Sequence, residues 1–160
     1  MLTEGEANRV WEKMIEAEVR SYYFGELAAR YSKQKQIITG LSFFLSSGAA
    51  ATLGAKAPAW IPLVFSAVAA FLAAYSIAVN LDKRITNMAK LHYEWNHLAS
   101  DYERLWSHWY GQDAEQRLEE LLKRAREASE KGTTEAPYKP DLIEKWSQFV
   151  NDRYQSAAAA

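Results

Sequence analysis

The chain has no cysteine, and its 160 residues include only four prolines and seven glycines. Without cysteine there can be no disulfide framework, no thiolate metal site and no thiol nucleophile, and a cytoplasmic bulk fits that lack. Excess charge of either sign is missing too: the net charge is −1, which argues against binding to nucleic-acid polymer through bulk electrostatics. There is no strand-like alternation and no internal repeat. A phosphate-cradling G-x-x-x-x-G-K-[ST] loop, a G-x-G-x-x-G fingerprint, a G-x-S-x-G elbow and an H-E-x-x-H pair are all absent. The expectation is an all-α protein that is not an enzyme and carries neither cofactor nor metal.

Charge is also missing from one long internal stretch. From Gln36 to Leu81, 46 positions carry a single charged residue, Lys56, set beside Pro58, Trp60 and Pro62. Crossing a hydrocarbon core about 30 Å thick takes roughly 20 apolar residues at about 1.5 Å each. Two such runs flank Lys56, with spans expected at about 36–55 and 62–81. The pattern predicts a transmembrane helical hairpin. The first run is the weaker, with only Ile37, Ile38, Leu41, Phe43, Phe44, Leu45 and Leu53 strongly apolar. The competing reading is a buried hairpin in a soluble all-α domain, but a chain of this length rarely needs two adjacent helices that are apolar all round.

Basic residues set the orientation. Arg30, Lys33 and Lys35 precede the first span, and Lys83, Arg84 and Lys90 follow the second, against Lys56 alone in the loop. By the positive-inside rule both termini lie in the cytoplasm, with Trp60 at the outer interface. Met1 to Glu18 is polar and acidic, so no cleavable signal peptide is expected there.

The spans are rich in small residues. Gly40, Ser47, Gly48, Ala51, Thr52 and Gly54 mark the first, with spacings of four such as Gly48 to Thr52. Ser66, Ala70, Ala74 and Ala78 mark the second at intervals of four. In a bilayer, helices gain nothing hydrophobic by meeting, and small residues permit the close approach that holds them together. Residues Gly40, Ser47, Gly48, Ala51, Thr52, Gly54, Ser66, Ala70 and Ala74 are therefore candidates for packing between copies or for lining a pore in a homo-oligomer. The hydroxyls of Thr39, Ser42, Ser46, Ser47 and Thr52 can either bond back to their own helix or face a water-filled lumen. No Asp, Glu, Arg or His lies inside either span, which argues against a proton-coupled transporter.

Four segments surround the hairpin. Residues 1–35 form an amphipathic helix in which Trp11, Met14, Ile15, Val19, Tyr22, Tyr23 and Leu27 recur at helical spacing. Residues 82–111 extend the second span. Ile85, Met88, Leu91, Trp95, Leu98, Tyr102, Leu105 and Trp109 recur every three or four positions, a near-heptad seam. With neither Pro nor Gly between Leu63 and Tyr110, one uninterrupted helix of about 70 Å is predicted. In residues 112–156, Asp113 is expected to cap a short helix with Gln116 as its capping-box partner. That helix ends near Lys131–Gly132, a loop follows to Pro140, and a last helix covers Asp141 to Tyr154. Ala157 to Ala160 has the look of a cloning remnant.

Two groups of side chains are candidate sites. His92, His97 and His108 share the long helix without metal-ligand spacing. Arg104, Trp106, Trp109 and Tyr110 mix a cation with stacking rings, a combination that suits a nucleotide base and phosphate. The plainer reading of those rings is helix packing beside a surface arginine.

An amphipathic helix, a short two-span hairpin rich in Gly, Ala and Ser, and a long continuing helix with aromatics and His together resemble the SLATT-type two-transmembrane domains of bacterial conflict systems. The resemblance covers about Ala7 to Gly111, including Arg30-Tyr31 and Leu91-His92 to Tyr102. It rests on layout rather than on a sharp motif. It implies an inner-membrane effector of antiviral, abortive-infection type defence that oligomerises and forms a pore or disrupts the membrane. Its partners would be membrane lipid, other copies of itself, and a cyclic nucleotide ligand or a nucleotide-sensing protein. A membrane-anchored scaffold that binds a cytoplasmic partner through its aromatic helices is the alternative.

Overall fold

The computed structural model describes residues 1–54, 58 and 60–158, and these are helical with no strand among them. Five helices follow in order: α1 (Glu4–Gly54), α2 (Trp60–Val79), α3 (Leu81–Ser107), α4 (Ala114–Glu135) and α5 (Pro140–Ala158). Lys56 and most of its loop, the end of the first expected span at Ala55, and the tail residues Ala159 and Ala160 lie outside the described residues. The chain divides into two compact units, residues 1–27 with 87–160, and residues 28–86.

α1 starts on a capping box that the sequence reading overlooked. The Thr3 hydroxyl accepts from the Glu6 amide at 3.3 Å, and the Glu6 carboxylate accepts from the Thr3 amide at 2.7 Å. The Thr3 amide, then its hydroxyl, hold the Glu6 carboxyl below the usual carboxylate range. The box expected at Asp113 does not form. Asp113 precedes α4 without a side-chain cap. Its carboxylate instead pairs with Arg117 at 2.6 Å, while Gln116 donates to Glu120 at 3.2 Å. A guanidinium one turn along the helix competes successfully for that carboxylate.

In the unit of residues 1–27 and 87–160, four helical segments enclose one core. α1 contributes Val10, Met14, Ala17, Phe24 and Leu27, and α3 contributes Met88, Leu91, Trp95, Leu98, Tyr102 and Leu105. Leu118, Leu121 and Ala128 come from α4, and Leu142 and Val150 from α5. The α3 residues are the expected seam, with a three-four repeat that keeps one side of the helix inward.

α4 runs beyond its expected end at Gly132 to Glu135. Gly in a helix interior costs about 1 kcal/mol relative to Ala. Here its lack of a side chain is used, because a Cβ on Gly132 would lie 3.0 Å from Phe24 Cζ. Pro137 disfavours helical backbone in the residue before it, and Ala136 is accordingly extended. Pro140 opens α5, where its missing N–H costs nothing.

In the unit of residues 28–86, Ile38 and Ala49 of α1, Ala69 of α2 and Leu81 of α3 are buried. A Cβ on Gly48 would approach the Phe65 ring to 3.2 Å. Lys35 and Asp82, the charges that bracket the uncharged stretch, form an ion pair. The single uninterrupted helix expected from Leu63 to Tyr110 is broken at Asn80, whose φ of 50° lies in the left-handed region between α2 and α3. Asn tolerates that conformation better than most residues, which is why a break here escapes a search for Pro and Gly.

Gly132→Val should lower the stability of the full chain by about 1–3 kcal/mol, read as a lower calorimetric melting temperature, because the side chain has no room beside Phe24. A melt equal to that of the wild type would show that the close approach is not a constraint.

Candidate functional site

Three features of the structure could carry function. The first is the surface of the unit of residues 28–86. Ile37, Leu41, Phe43 and Phe44 of α1 are exposed, as are Leu63, Val64, Val68, Phe71 and Ile77 of α2. Phe43 and Ile77 are 74% and 79% exposed, values that a soluble core would not leave on its outside. Among the described residues, one helix is long and apolar enough to cross a membrane by length and composition. It is the run beginning at Trp60, and 11% of its apolar window is buried.

The candidate packing residues divide by face. Gly48 is half-buried against Phe65, and Thr52 is half-buried with its hydroxyl donating to the Ala49 carbonyl at 2.9 Å. Gly40, Ser47 and Ala51 are exposed, and a Cβ on Gly40 would meet nothing within 4 Å. Gly54 is the last residue of α1. Ser66, Ala70 and Ala74 lie exposed on α2. The small-residue stripe of α2 therefore does not face α1, and Gly48 serves contact within one chain. A groove of about 520 Å³ on the same unit is lined by Arg30 and Lys33 at one end and by Ile37, Ile38, Phe71 and Leu72 further along.

The second feature is the aromatic group around the end of α3. Trp106 does not gather with Arg104, Trp109 and Tyr110 around a cavity. Its ring packs 4.9 Å from Trp11, which in turn meets Tyr154 at 5.0 Å. Trp109 is half-buried, and its carbonyl accepts from the Leu2 amide at 3.1 Å. Tyr110 stays 60% exposed, and Arg104 is exposed. The histidines are likewise dispersed. The carbonyl of Ser21 accepts from His92 Nδ1 at 2.8 Å, and His97 packs on Tyr93 at 4.2 Å. His108 Nδ1 lies 3.1 Å from the Arg104 carbonyl. No group of three or more potential metal ligands converges among the described residues.

The third feature was not visible as a sequence motif, because its residues come from helices far apart in the chain. A cavity of about 590 Å³ opens between α1, α4, α5 and the 136–139 connection, lined in part by Ile15, Val19, Phe24 and Ile143. The size lies within the range of small-molecule pockets. Tyr23 donates its hydroxyl to the Pro137 carbonyl and so fixes one wall. Arg20 reaches Ser129 at 3.3 Å and lies 4.8 Å over the Trp95 ring. Burial pushes the Glu16 carboxyl up, but Lys13 at 2.6 Å and Arg20 at 2.7 Å outweigh it and leave the group below its ordinary range. Glu16 and Ser129 also line a smaller cleft of about 280 Å³ between α1, α3 and α4, together with Arg9, Lys13, Trp95, Tyr102 and Arg126.

The chain matches no protein-family model, no curated protein and no solved structure.

Burial pushes the Tyr102 phenol up to about 12, the Glu16 charge adds to that push, and Arg9 and Arg124 oppose it. An unfolded tyrosine ionises near about pH 10. Between the two values the unfolded chain releases a proton that the folded chain keeps, so the stabilisation present below pH 10 is lost as pH rises towards about 12. Tyr102→Phe should remove that part of the alkaline loss in denaturant titrations. At neutral pH it should change stability by less than about 1 kcal/mol, because the hydroxyl has no partner to lose. An alkaline limb identical to the wild type would refute the assignment.

Proposed function

We propose that residues 28–86 sit in a lipid bilayer as a two-span hairpin, and that the chain acts by assembling in the bacterial inner membrane into a pore or a disruptive lesion. The setting is antiviral defence of the abortive-infection type. Control comes from a nucleotide signal or a protein partner received by the cytoplasmic helices, with both termini on that side. The observation that carries this reading is the outward display of Phe43, Phe44, Leu63, Phe71 and Ile77 on the unit of residues 28–86. Water penalises such a surface, whereas lipid tails do not.

Assembly is supported by the faces left over. Ser66, Ala70 and Ala74 stay exposed once α2 has packed on α1, so they are available to a second copy. Hydroxyls inside the spans satisfy themselves in part, as Ser46 does by donating to the Ser42 carbonyl at 2.8 Å. The layout shared with SLATT-type domains supports the same reading. The groove with Arg30 and Lys33 above Ile37 and Phe71 has the order of a phospholipid, headgroup first and acyl chain after. The tether-and-scaffold alternative draws on exposed aromatics such as Tyr93, Tyr138 and Phe149, which could meet a cytoplasmic protein.

Membrane potential in bacteria expressing the chain is the decisive readout. The wild type should depolarise the cells, and Ala70→Leu with Ala74→Leu should restore at least most of the potential by blocking contact between copies. Full depolarisation by that double variant at equal membrane abundance would sink assembly through this stripe. Gly48→Leu tests a different step, since it clashes with Phe65 of the same chain and should reduce the amount of inserted protein. If the inserted wild type leaves the potential intact, and a foreign hairpin can replace both spans without loss of function, the scaffold reading is favoured over the pore.

A further inference from the structure

The small cleft between α1, α3 and α4 combines three observations that packing alone does not require. Its walls bear three cations, Arg9 and Lys13 from α1 and Arg126 from α4. Glu16 is the one anion on the wall, and it is already engaged by Lys13 and by Arg20. Arg9 and Arg126 form no ion pair among the described residues. The cleft therefore holds positive charge that the fold does not neutralise.

The α3 wall adds two donors without acceptors. Tyr102 is 0% exposed and Trp95 is 3% exposed, and both line the cleft. Tyr102 Oη and Trp95 Nε1 have no hydrogen-bond partner. Buried donors are nearly always satisfied, so two orphans on one wall, about two α3 turns apart, call for an acceptor. Charges from two of the surrounding helices act on the Tyr102 hydroxyl, Glu16 and Arg9 of α1 and Arg124 of α4.

We infer that this cleft is a binding site for a phosphate-bearing small molecule. Its oxyanion would be held between the Arg9 and Arg126 guanidinium groups and would accept from Tyr102 Oη and Trp95 Nε1. Arginine suits the role because its planar donors match phosphate oxygens in pairs. The volume of about 280 Å³ lies at the small end for ligand pockets, with room for the phosphate and part of the group that carries it. The inference does not rest on pore formation, since a membrane tether could carry the same site.

The test is calorimetric titration of the full chain, in detergent micelles, with inorganic phosphate at constant ionic strength set by chloride. Saturable one-to-one binding is expected. Arg9→Ala with Arg126→Ala should weaken it at least tenfold, and both side chains are exposed and unpaired, so the fold should survive. Tyr102→Phe should weaken it about three- to tenfold while keeping the ring in the core. Arg104→Ala, on α3 but outside the cleft, should leave the affinity unchanged. Heat no different from that of chloride for the wild type would overturn the site. So would full affinity in the double arginine variant or in Tyr102→Phe, or loss of affinity in Arg104→Ala alone.

Discussion

The first six turns of α1 have to satisfy three other helices at once, and the rest of the unit formed by residues 1–27 and 87–160 depends on that. Against α3, Trp11 meets Trp106 and Ser21 meets the ring of His92. Towards α4, Phe24 occupies the space over Gly132 and Arg20 reaches Ser129. On the α5 side, Tyr22 stacks on Trp146 at 4.8 Å, and Glu26 accepts from Lys145 and from the Trp146 indole, both at 2.8 Å. Few residues in this stretch are left over for solvent. That explains why Val10, Ala17 and Leu27 are almost fully buried although nine of the 24 residues from Glu4 to Leu27 are charged. The charged heads snorkel outward or pair along the helix, while their stems and the aromatic rings fill the interior.

The unit of residues 28–86 inverts that arrangement. Its buried positions mix the small Ala49 and Ala69 with Ile38 and Leu81, and Gly48 admits Phe65, while Phe43, Phe44, Phe71 and Ile77 stay exposed. Surroundings as apolar as those side chains would tolerate that exposure, which water penalises. Lys35 and Asp82 mark the two places where the uncharged stretch begins and ends, and their pairing puts those places at one level. An exposed pair of this kind adds little stability in water. Its value lies in registering the two apolar segments against each other.

Much of this was legible in the sequence where periodicity was long and one-sided. The α3 seam from Met88 to Leu105 is buried at each expected position, because a three-four repeat over about five turns leaves a helix one way to face inward. Boundaries were less legible. Gly132 looked like a terminator and became a packing position, and Asn80 looked like ordinary helix and became a break. In both cases a contact or a local backbone state decides, and neither is written in composition. Capping depends on a related competition: the Glu6 carboxylate engages Thr3, whereas the Asp113 carboxylate is taken by Arg117. The clefts were illegible because they join Arg9, Tyr102 and Arg126, residues that only tertiary packing brings together. The stripe of Ser66, Ala70 and Ala74 was visible as a pattern, but which face of α2 it occupied was not.

The distribution of tryptophan has a practical consequence. Trp11, Trp95, Trp106, Trp109 and Trp146 belong to one unit, and several sit against another ring or a guanidinium, as Trp11 does with Trp106 and Trp95 with Arg20. Trp60 alone belongs to the other, 65% exposed at the start of α2. The protein thus carries two separate optical reporters. The crowded indoles give a chiral near-ultraviolet signal that vanishes when their packing loosens. A version retaining only Trp60 would emit at a wavelength set by its immediate solvent, and under the proposed bilayer placement lipid-borne quenchers at graded depths would read how far that indole lies from the bilayer centre.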